Sequence, residues 1–351
     1  MYTISCTCVP HITISSGSPV DTKQLNAETP YADLTPECIF TAIEGLGERC
    51  DGRLLQLNSF ENRVYQVWTE DGGQYVVKFY RPGRWSDEAI LEEHVFSLDL
   101  AKQEVPVVPP LSFNARTMHH FDGHRFALFE KRGGRAPELD RKDTLEWMGR
   151  FLGRIHAIGA TSAYQVRPSL DIQSFGFDSR DFLVAGNWLP EELQTAWVSV
   201  ADQALDAVNT AYQRAGDVRV LRLHGDCHSG NVLWTDDGPH FVDFDDSRSG
   251  PSIQDLWMLL SGDETDARAQ LAALLRGYET FSEFDDRELH LIEALRTLRL
   301  LHYSAWIARR WQDPAFPSAF PWFGTLRYWQ DRILELREQV AKMQEAPLRP
   351  A

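Results

Sequence analysis

The chain has little cysteine. Cys6, Cys8, Cys38, Cys50 and Cys227 are five in 351 residues, odd in number and scattered. Such a set argues against a disulfide framework and for a reducing compartment. Cys6, Cys8 and His11 would supply three zinc ligands, but no fourth lies nearby, so a structural zinc site is not expected. No apolar run approaches the roughly 20 residues that a membrane span needs. The stretch from Met1 to Val20 has neither a basic start nor a sustained apolar segment, so no secretory signal is expected and the cytoplasm is the expected location. Basic residues are in deficit, 35 against 51 acidic ones, for a formal net charge of −16. That field repels a phosphate backbone and argues against nucleic acid as a partner. It does not exclude a nucleotide, which arrives with magnesium and needs only a local cationic pocket.

What is present is ordinary globular composition, 43 % hydrophobic and 25 % charged, long enough for one large or two modest domains. Residues 1–33 mix Ser, Thr, Pro and Gly without period and are expected to form a loosely ordered extension. A helix is predicted over Thr35–Leu46, with Thr35 as cap and Pro36 in the first turn. Strands are predicted at Leu54–Leu57, Val64–Trp68, Tyr75–Tyr80 and Phe126–Glu130, with Asp71-Gly72-Gly73 turning one hairpin and a helix over Trp85–Leu100. The Gly/Pro-marked segment Lys131–Pro137 is the expected hinge, dividing an N-terminal lobe (34–131) from a C-terminal one (132–345), with a tail at 346–351. Beyond it the period is helical. Leu145, Met148, Leu152 and Ile155 make one stripe. Further helices are predicted over Glu191–Ala215, Ile253–Ser261, Asp266–Tyr278, Glu288–Arg310 and Gly324–Gln344. Strands in front and helices behind describe an α+β protein of two lobes.

The most informative segment is Leu223-His224-Gly225-Asp226-Cys227-His228-Ser229-Gly230-Asn231, followed by Phe241-Val242-Asp243-Phe244-Asp245. It places an Asp, an Asn five residues on, and a second Asp across a short hairpin. Phosphoryl transfer from ATP needs a carboxylate to orient or deprotonate the attacking hydroxyl, and an amide oxygen and second carboxylate for magnesium. Asp226 is the candidate base, and Asn231 and Asp243 are the candidate metal ligands. Asp245, two residues beyond Asp243, is expected on the same strand face with a second-metal or outer role. Asp246 is expected to cap the following turn, and His224 to brace the loop.

Lys78 alternates with Val76 and Tyr80 on one strand face, which suits a lysine aimed into a cleft at nucleotide phosphates. Glu92 or Glu93 on the next helix would pair with it, and Glu92 is favoured because Phe96 packs inward one turn on. No Gly-rich phosphate loop exists. In its place stands Leu57-Asn58-Ser59-Phe60-Glu61-Asn62-Arg63, where backbone amides and Ser59 are candidates for phosphate contact, with Arg63 nearby. An Asn/Ser turn of no further role is the equal alternative. Asp255 suits the N-terminus of an apolar helix. The aromatic set Trp306, Trp311, Phe316, Phe320, Trp322, Phe323 and Trp329 fits lobe packing better than an acceptor groove.

A competing reading uses the alternation of His224, Asp226 and His228, with Asp243, as the metal site of a hydrolase. Gly225 and Gly230 favour a loop instead, and Lys78 and Asn231 would then have no purpose. A pseudokinase acting as a binding module is weaker still, because no expected polar residue of the core is missing.

At these residues the chain resembles the aminoglycoside phosphotransferase/choline kinase branch of the protein-kinase-like superfamily. Within it, the chain is similar to a family of bacterial stress-response serine/threonine protein kinases. The resemblance rests on Asn58–Gln66, Val77–Pro82, Leu221–His228, Gln254–Leu260 and Arg309–Pro317. It implies a two-lobed fold with a small strand-rich N-lobe and a larger helical C-lobe. It also implies a monomeric cytoplasmic enzyme that uses ATP and Mg2+ and phosphorylates itself and protein Ser/Thr residues under stress. Carried over, Asp226 is the proton acceptor, Asn231 and Asp243 bind magnesium, Asp243 also counts as catalytic, and Ser59 is a nucleotide contact. Periodicity and spacing do not separate a protein hydroxyl from an aminoglycoside, choline or homoserine hydroxyl.

Overall fold

The structure, a computed structural model, describes residues 30–351. The Cys6, Cys8, His11 trio and all but the last residues of the expected extension lie outside the described residues. Helix α1 (Pro36–Glu44) starts where Thr35 accepts a hydrogen bond from the Cys38 amide, the cap its sequence predicts. Strands β1 (Cys50–Gln56), β2 (Arg63–Thr69) and β3 (Gln74–Phe79) follow, then α2 (Asp87–Lys102), β4 (His119–Phe121) and β5 (His124–Glu130). The five strands form one antiparallel sheet in the order β1-β2-β3-β5-β4. Register places Lys78 on the central strand between Val64 and Ala127. Strand β4 is too short for its period to show in sequence. Ile39, Ile43, Val67, Val77, Phe79, Phe126 and Leu128 close the small core beneath α1.

The helical part begins with α3 (Lys142–Gly159), whose Leu145, Met148, Leu152 and Ile155 are all buried. A wide turn at Gln173–Phe177 runs into α4 (Asp178–Ala185), which sequence reading did not foresee, and α5 spans Glu191–Ala215 as predicted. A two-residue strand β6 (Leu221–Arg222) leads into the Asp226 loop. The hairpin β7 (Val232–Thr235) and β8 (Gly238–Phe241) follows, then β9 (Ser249–Gly250), which pairs back on β6. The rest is helical: α6 (Ile253–Trp257), α7 (Glu264–Tyr278), α8 (Ile292–Arg309), α9 (Ala315–Ala319) and α10 (Leu326–Gln344). Among the described residues no helix is long and apolar enough to cross a membrane. Of the aromatic set, Phe316, Phe320, Phe323 and Trp329 are buried, in keeping with packing, while Trp322 is exposed.

The phosphate-loop counterpart is tied to the helical lobe by charge. Glu61 receives Trp306 Nε1 at 2.6 Å and Arg310 Nε at 2.6 Å, and it lies 3.1 Å from Arg81. Asp313, 2 % exposed, takes Arg63 at 3.0 Å and Arg81 at 2.6 Å. Phe60 packs against Phe316 and Phe320 of the same region. Arg63 is therefore engaged by Asp313 rather than left free for phosphate, because a buried carboxylate without partners would be far costlier.

Helices α3 and α7 touch backbone to backbone. A methyl group at Gly149 would lie 2.0 Å from the Leu274 carbonyl oxygen, and one at Gly277 would lie 2.0 Å from that of Glu146. Gly277→Ala should therefore force the helices apart and cost at least about 1–3 kcal/mol. The urea midpoint measures this, and an unchanged midpoint would refute the close crossing.

Candidate active site

The Asp226 loop is built on a backbone that only glycine permits at one point. Gly225 has φ +87°, and a Cβ there would sit 2.3 Å from the Asp246 carbonyl oxygen. The loop hangs from a buried carboxylate. Asp255, fully buried at the start of α6, accepts the His224 amide on Oδ2 at 2.8 Å and the Gly225 amide on Oδ1 at 2.9 Å. His156 Nε2 of α3 lies 3.0 Å from Oδ2, and its other nitrogen meets the Tyr278 hydroxyl at 3.0 Å. His224 fills the brace expected of it: Nε2 meets the Val242 carbonyl at 3.0 Å, Nδ1 accepts the Asp226 amide at 3.3 Å, and the ring packs on Phe244.

Around this frame the sequence-separated polar groups meet. Asn231 donates Nδ2 to the Asp226 carbonyl at 3.0 Å. Its own carbonyl accepts the Val242 amide at 3.0 Å, which brings Asp243 alongside. Lys78 Nζ crosses from the sheet to Asp243 Oδ1 at 2.6 Å. The lysine is 8 % exposed and Asp243 47 %. Burial alone would depress the Lys78 pKa, but Asp243, Asp245 and Glu93 outweigh it and raise it. Burial also pushes the Asp226 carboxyl up, yet His228 and Arg299 hold it below its ordinary value. A base that stays ionised fits proton acceptance. The donors available to a cation are the Asn231 amide oxygen and the Asp243 carboxylate. Both are hard oxygen ligands of the kind magnesium or calcium takes.

The lysine's helix neighbour differs from the expectation. Glu92 does not face Lys78. It accepts the backbone amides of Gln165 (2.7 Å), Val166 (3.1 Å) and Arg167 (2.8 Å) and so anchors a loop of the helical lobe. Glu93 is the buried carboxylate, 1 % exposed and near Lys78 and Arg167. Burial raises its pKa to about 7, against the pull of those two cations. The preference for Glu92 failed because Phe96 packs inward on an arc shared with Glu93, which the spacing alone did not resolve.

Asp245 also departs from expectation. Asp243 adopts a left-handed backbone, φ 62°, and Phe244–Asp246 form a tight helical turn, so the two aspartates do not share a strand face. Asp245 instead pairs with Arg84, and Asp246 binds Arg84 at 2.7 Å and Arg248 at 2.8 Å. Ser59 is half-buried in the loop between β1 and β2, beside a shallow cavity shared with Asn58, Phe60 and Ala315. The alternation of His224, Asp226 and His228 is interrupted by Gly225. Among the described residues no three His, Cys, Asp or Glu side chains cluster as a metal cage. Sequence reading missed Arg84 and Arg299. Arg299 Nη1 stands 2.8 Å from Asp226 Oδ1, and only a register of α8 against the loop, invisible in one sequence, would have found it.

Comparison with known proteins sets this geometry in context. Residues 53–292 match the phosphotransferase enzyme family. Stress response kinase A of Escherichia coli O157:H7 is 46 % identical over 323 residues, covering 92 % of this chain and 98 % of that protein. Serine/threonine protein kinase RdoA of Salmonella typhimurium LT2 is 46 % identical over 318 residues, 91 % of this chain and 96 % of that one. Among solved structures, an amicoumacin kinase in complex with AMP-PNP, Ca2+ and Ami superposes with a TM-score of 0.67 at 17 % identity, covering 94 % of this chain and 98 % of that chain. A microcompartment-associated aminopropanol kinase superposes with a TM-score of 0.65 at 18 % identity, covering 87 % and 96 %. These two share the two-lobed fold.

Asp255→Ala should leave the His224 and Gly225 amides without an acceptor in a site closed to water. The expected loss is about 3–5 kcal/mol, read from chemical denaturation. A variant as stable as the parent would show that the loop does not depend on this carboxylate.

Proposed function

As the chain belongs to the phosphotransferase enzyme family and is a kinase, we propose that it is an ATP- and magnesium-dependent serine/threonine protein kinase with Asp226 as its base. The observation that carries this reading is the Lys78–Asp243 pair at 2.6 Å, formed beside Asp226 and Asn231 by residues 165 positions apart. In the reaction the acceptor hydroxyl gives its proton to Asp226 as its oxygen bonds the γ-phosphorus, and the bond to the departing ADP breaks. Magnesium, when bound, neutralises charge on the nucleotide phosphates. Asn231 and Asp243 would hold it, and Asp243 counts as catalytic in that sense. Lys78 holds Asp243 in place and offers its charge to the phosphates. Ser59 and the amides of its loop would cap the phosphates from above, and Glu93 rather than Glu92 steadies the lysine.

The protein acceptor follows the names of the relatives at 46 % identity, stress response kinase A and serine/threonine protein kinase RdoA. A role in the stress response, in the cytoplasm and as a monomer, goes with the same reading. The likeness to kinases of small molecules is at 17–18 % identity and bears on fold alone.

The test is transfer of labelled γ-phosphate with magnesium to the protein itself, to myelin basic protein and to a panel of aminoglycosides and amino alcohols. Label on protein serine or threonine supports the reading, and label on small molecules alone keeps the chemistry but overturns the acceptor. Asp226→Ala should lower turnover about 10²- to 10⁴-fold with ATP binding retained. Near-normal turnover in that variant would remove Asp226 as the base. Asn231→Ala should raise the magnesium concentration needed for half-maximal rate, and an unchanged titration would remove Asn231 as a ligand.

A further inference from the structure

The two oxygens of the Asp226 carboxylate are not equivalent in this fold. Oδ1 lies 2.8 Å from Arg299 Nη1, in the middle of α8. Oδ2 has only marginal contacts, the Asn231 amide at 3.5 Å and His228 Nε2 at 3.5 Å, both at the outer limit of a hydrogen bond. Oδ1 is buried and its close partner is this cation, in an ion pair without hydrogen-bond geometry, while Oδ2 carries the longer contacts.

Arg299 differs from the other arginines of the cleft. Arg84 is spent on Asp245 and Asp246, Arg310 on Glu61, and Arg248 on the side chain and carbonyl of Asp246. Arg167 is spent on the carbonyls of Ala89, Asp245 and Ser247. Each of these is a buried structural tie. Arg299 is 43 % exposed, and its ion-pair partner is the candidate base itself. The carboxylate it faces is 21 % exposed, with the paired oxygen buried, so the cation reaches from the solvent side onto the inner oxygen of the candidate base.

Resting on the assignment of Asp226 as base, we propose that Arg299 is the positioning residue of the transfer step. By holding Oδ1 it presents Oδ2 to the acceptor hydroxyl. It also stops the carboxylate from swinging onto a cation at the neighbouring Asn231 and Asp243. A carboxylate free to rotate spends much of its time in unproductive orientations, and a small misplacement of a reacting group costs one to two orders of magnitude in rate.

The test is single-turnover transfer of γ-phosphate to myelin basic protein and, in its absence, to water, for the parent, Arg299→Ala, Arg299→Lys and Asp226→Ala. Arg299→Ala should lower the transfer rate about 10- to 100-fold with ATP affinity and thermal midpoint little changed. Arg299→Lys should fall between, because ammonium keeps the charge on a shorter stem. The site is open, so millimolar guanidinium should restore part of the rate to Arg299→Ala and none to Asp226→Ala. A parent-like rate in Arg299→Ala, while Asp226→Ala is inactive, overturns the positioning role and leaves the base intact. A fall in rate matched by a fall in ATP affinity or midpoint, without guanidinium rescue, overturns it as well. An active Asp226→Ala removes the base assignment and this proposal with it.

Discussion

The Asp226 loop depends on one carboxylate that no solvent reaches. Asp255 faces the amides of His224 and Gly225 and the imidazole of His156, so three donors from two parts of the chain converge on two oxygens. Burying a carboxylate without such partners is prohibitive, and with them it becomes a rigid fixture. The next residue after the held amides is Asp226. Its backbone position is therefore set by a buried group behind the loop. Through His156 and Tyr278 the same fixture reaches the α3–α7 crossing, where glycines bring two backbones into contact. Loop, helix crossing and Asp226 share one chain of contacts, so the placement of Asp226 is inherited from packing.

A second set of buried charges joins the lobes. Glu61, Asp245, Asp246 and Asp313 face Arg63, Arg81, Arg84 and Arg310. With Arg248, which also binds Asp246, the arginines outnumber the acids by one, although the chain as a whole carries −16. Such a cluster is a poor source of net stability, because each ion gives up its water, but removing any one member leaves a charge stranded. It acts as a specification. The loop over the cleft has one seat on the helical lobe, with Phe60 placed against Phe316 and Phe320. A glycine-rich loop is free to flex, and this one is held by its side chains.

The sequence was most legible where spacing and period are local. Thr35 as a cap, the hairpin at Asp71-Gly72-Gly73, the Leu145–Ile155 stripe and the whole of α5 follow from neighbours along the chain. The interval from Asp226 to Asn231 to Asp243 marked the site for the same reason. Asp245 was misplaced because a left-handed residue at 243 breaks the alternation that strands obey. Glu92 was preferred over Glu93 because adjacent helical positions differ by about 100°, too little for one inward aromatic to decide. The stretches Asn58–Gln66, Val77–Pro82 and Arg309–Pro317 carried a resemblance with no visible reason. They supply Phe60, Glu61, Arg63, Arg81, Arg310, Asp313 and Phe316 to the contact between lobes. Their idiosyncrasy is that of a lock whose halves lie 250 residues apart.

Two cations outside this lock face the candidate site. Lys78 rests on Asp243 and Arg299 rests on Asp226, so each of these carboxylates already has a charged partner. A carboxylate paired in this way is held in one orientation by its cation. The arrangement of these charges is set during folding, by Asp255 and the interlobe cluster. Lys78 is nearly enclosed and Arg299 half open. The cation at Asp243 is therefore held by the sheet, while the cation at Asp226 stays within reach of solvent.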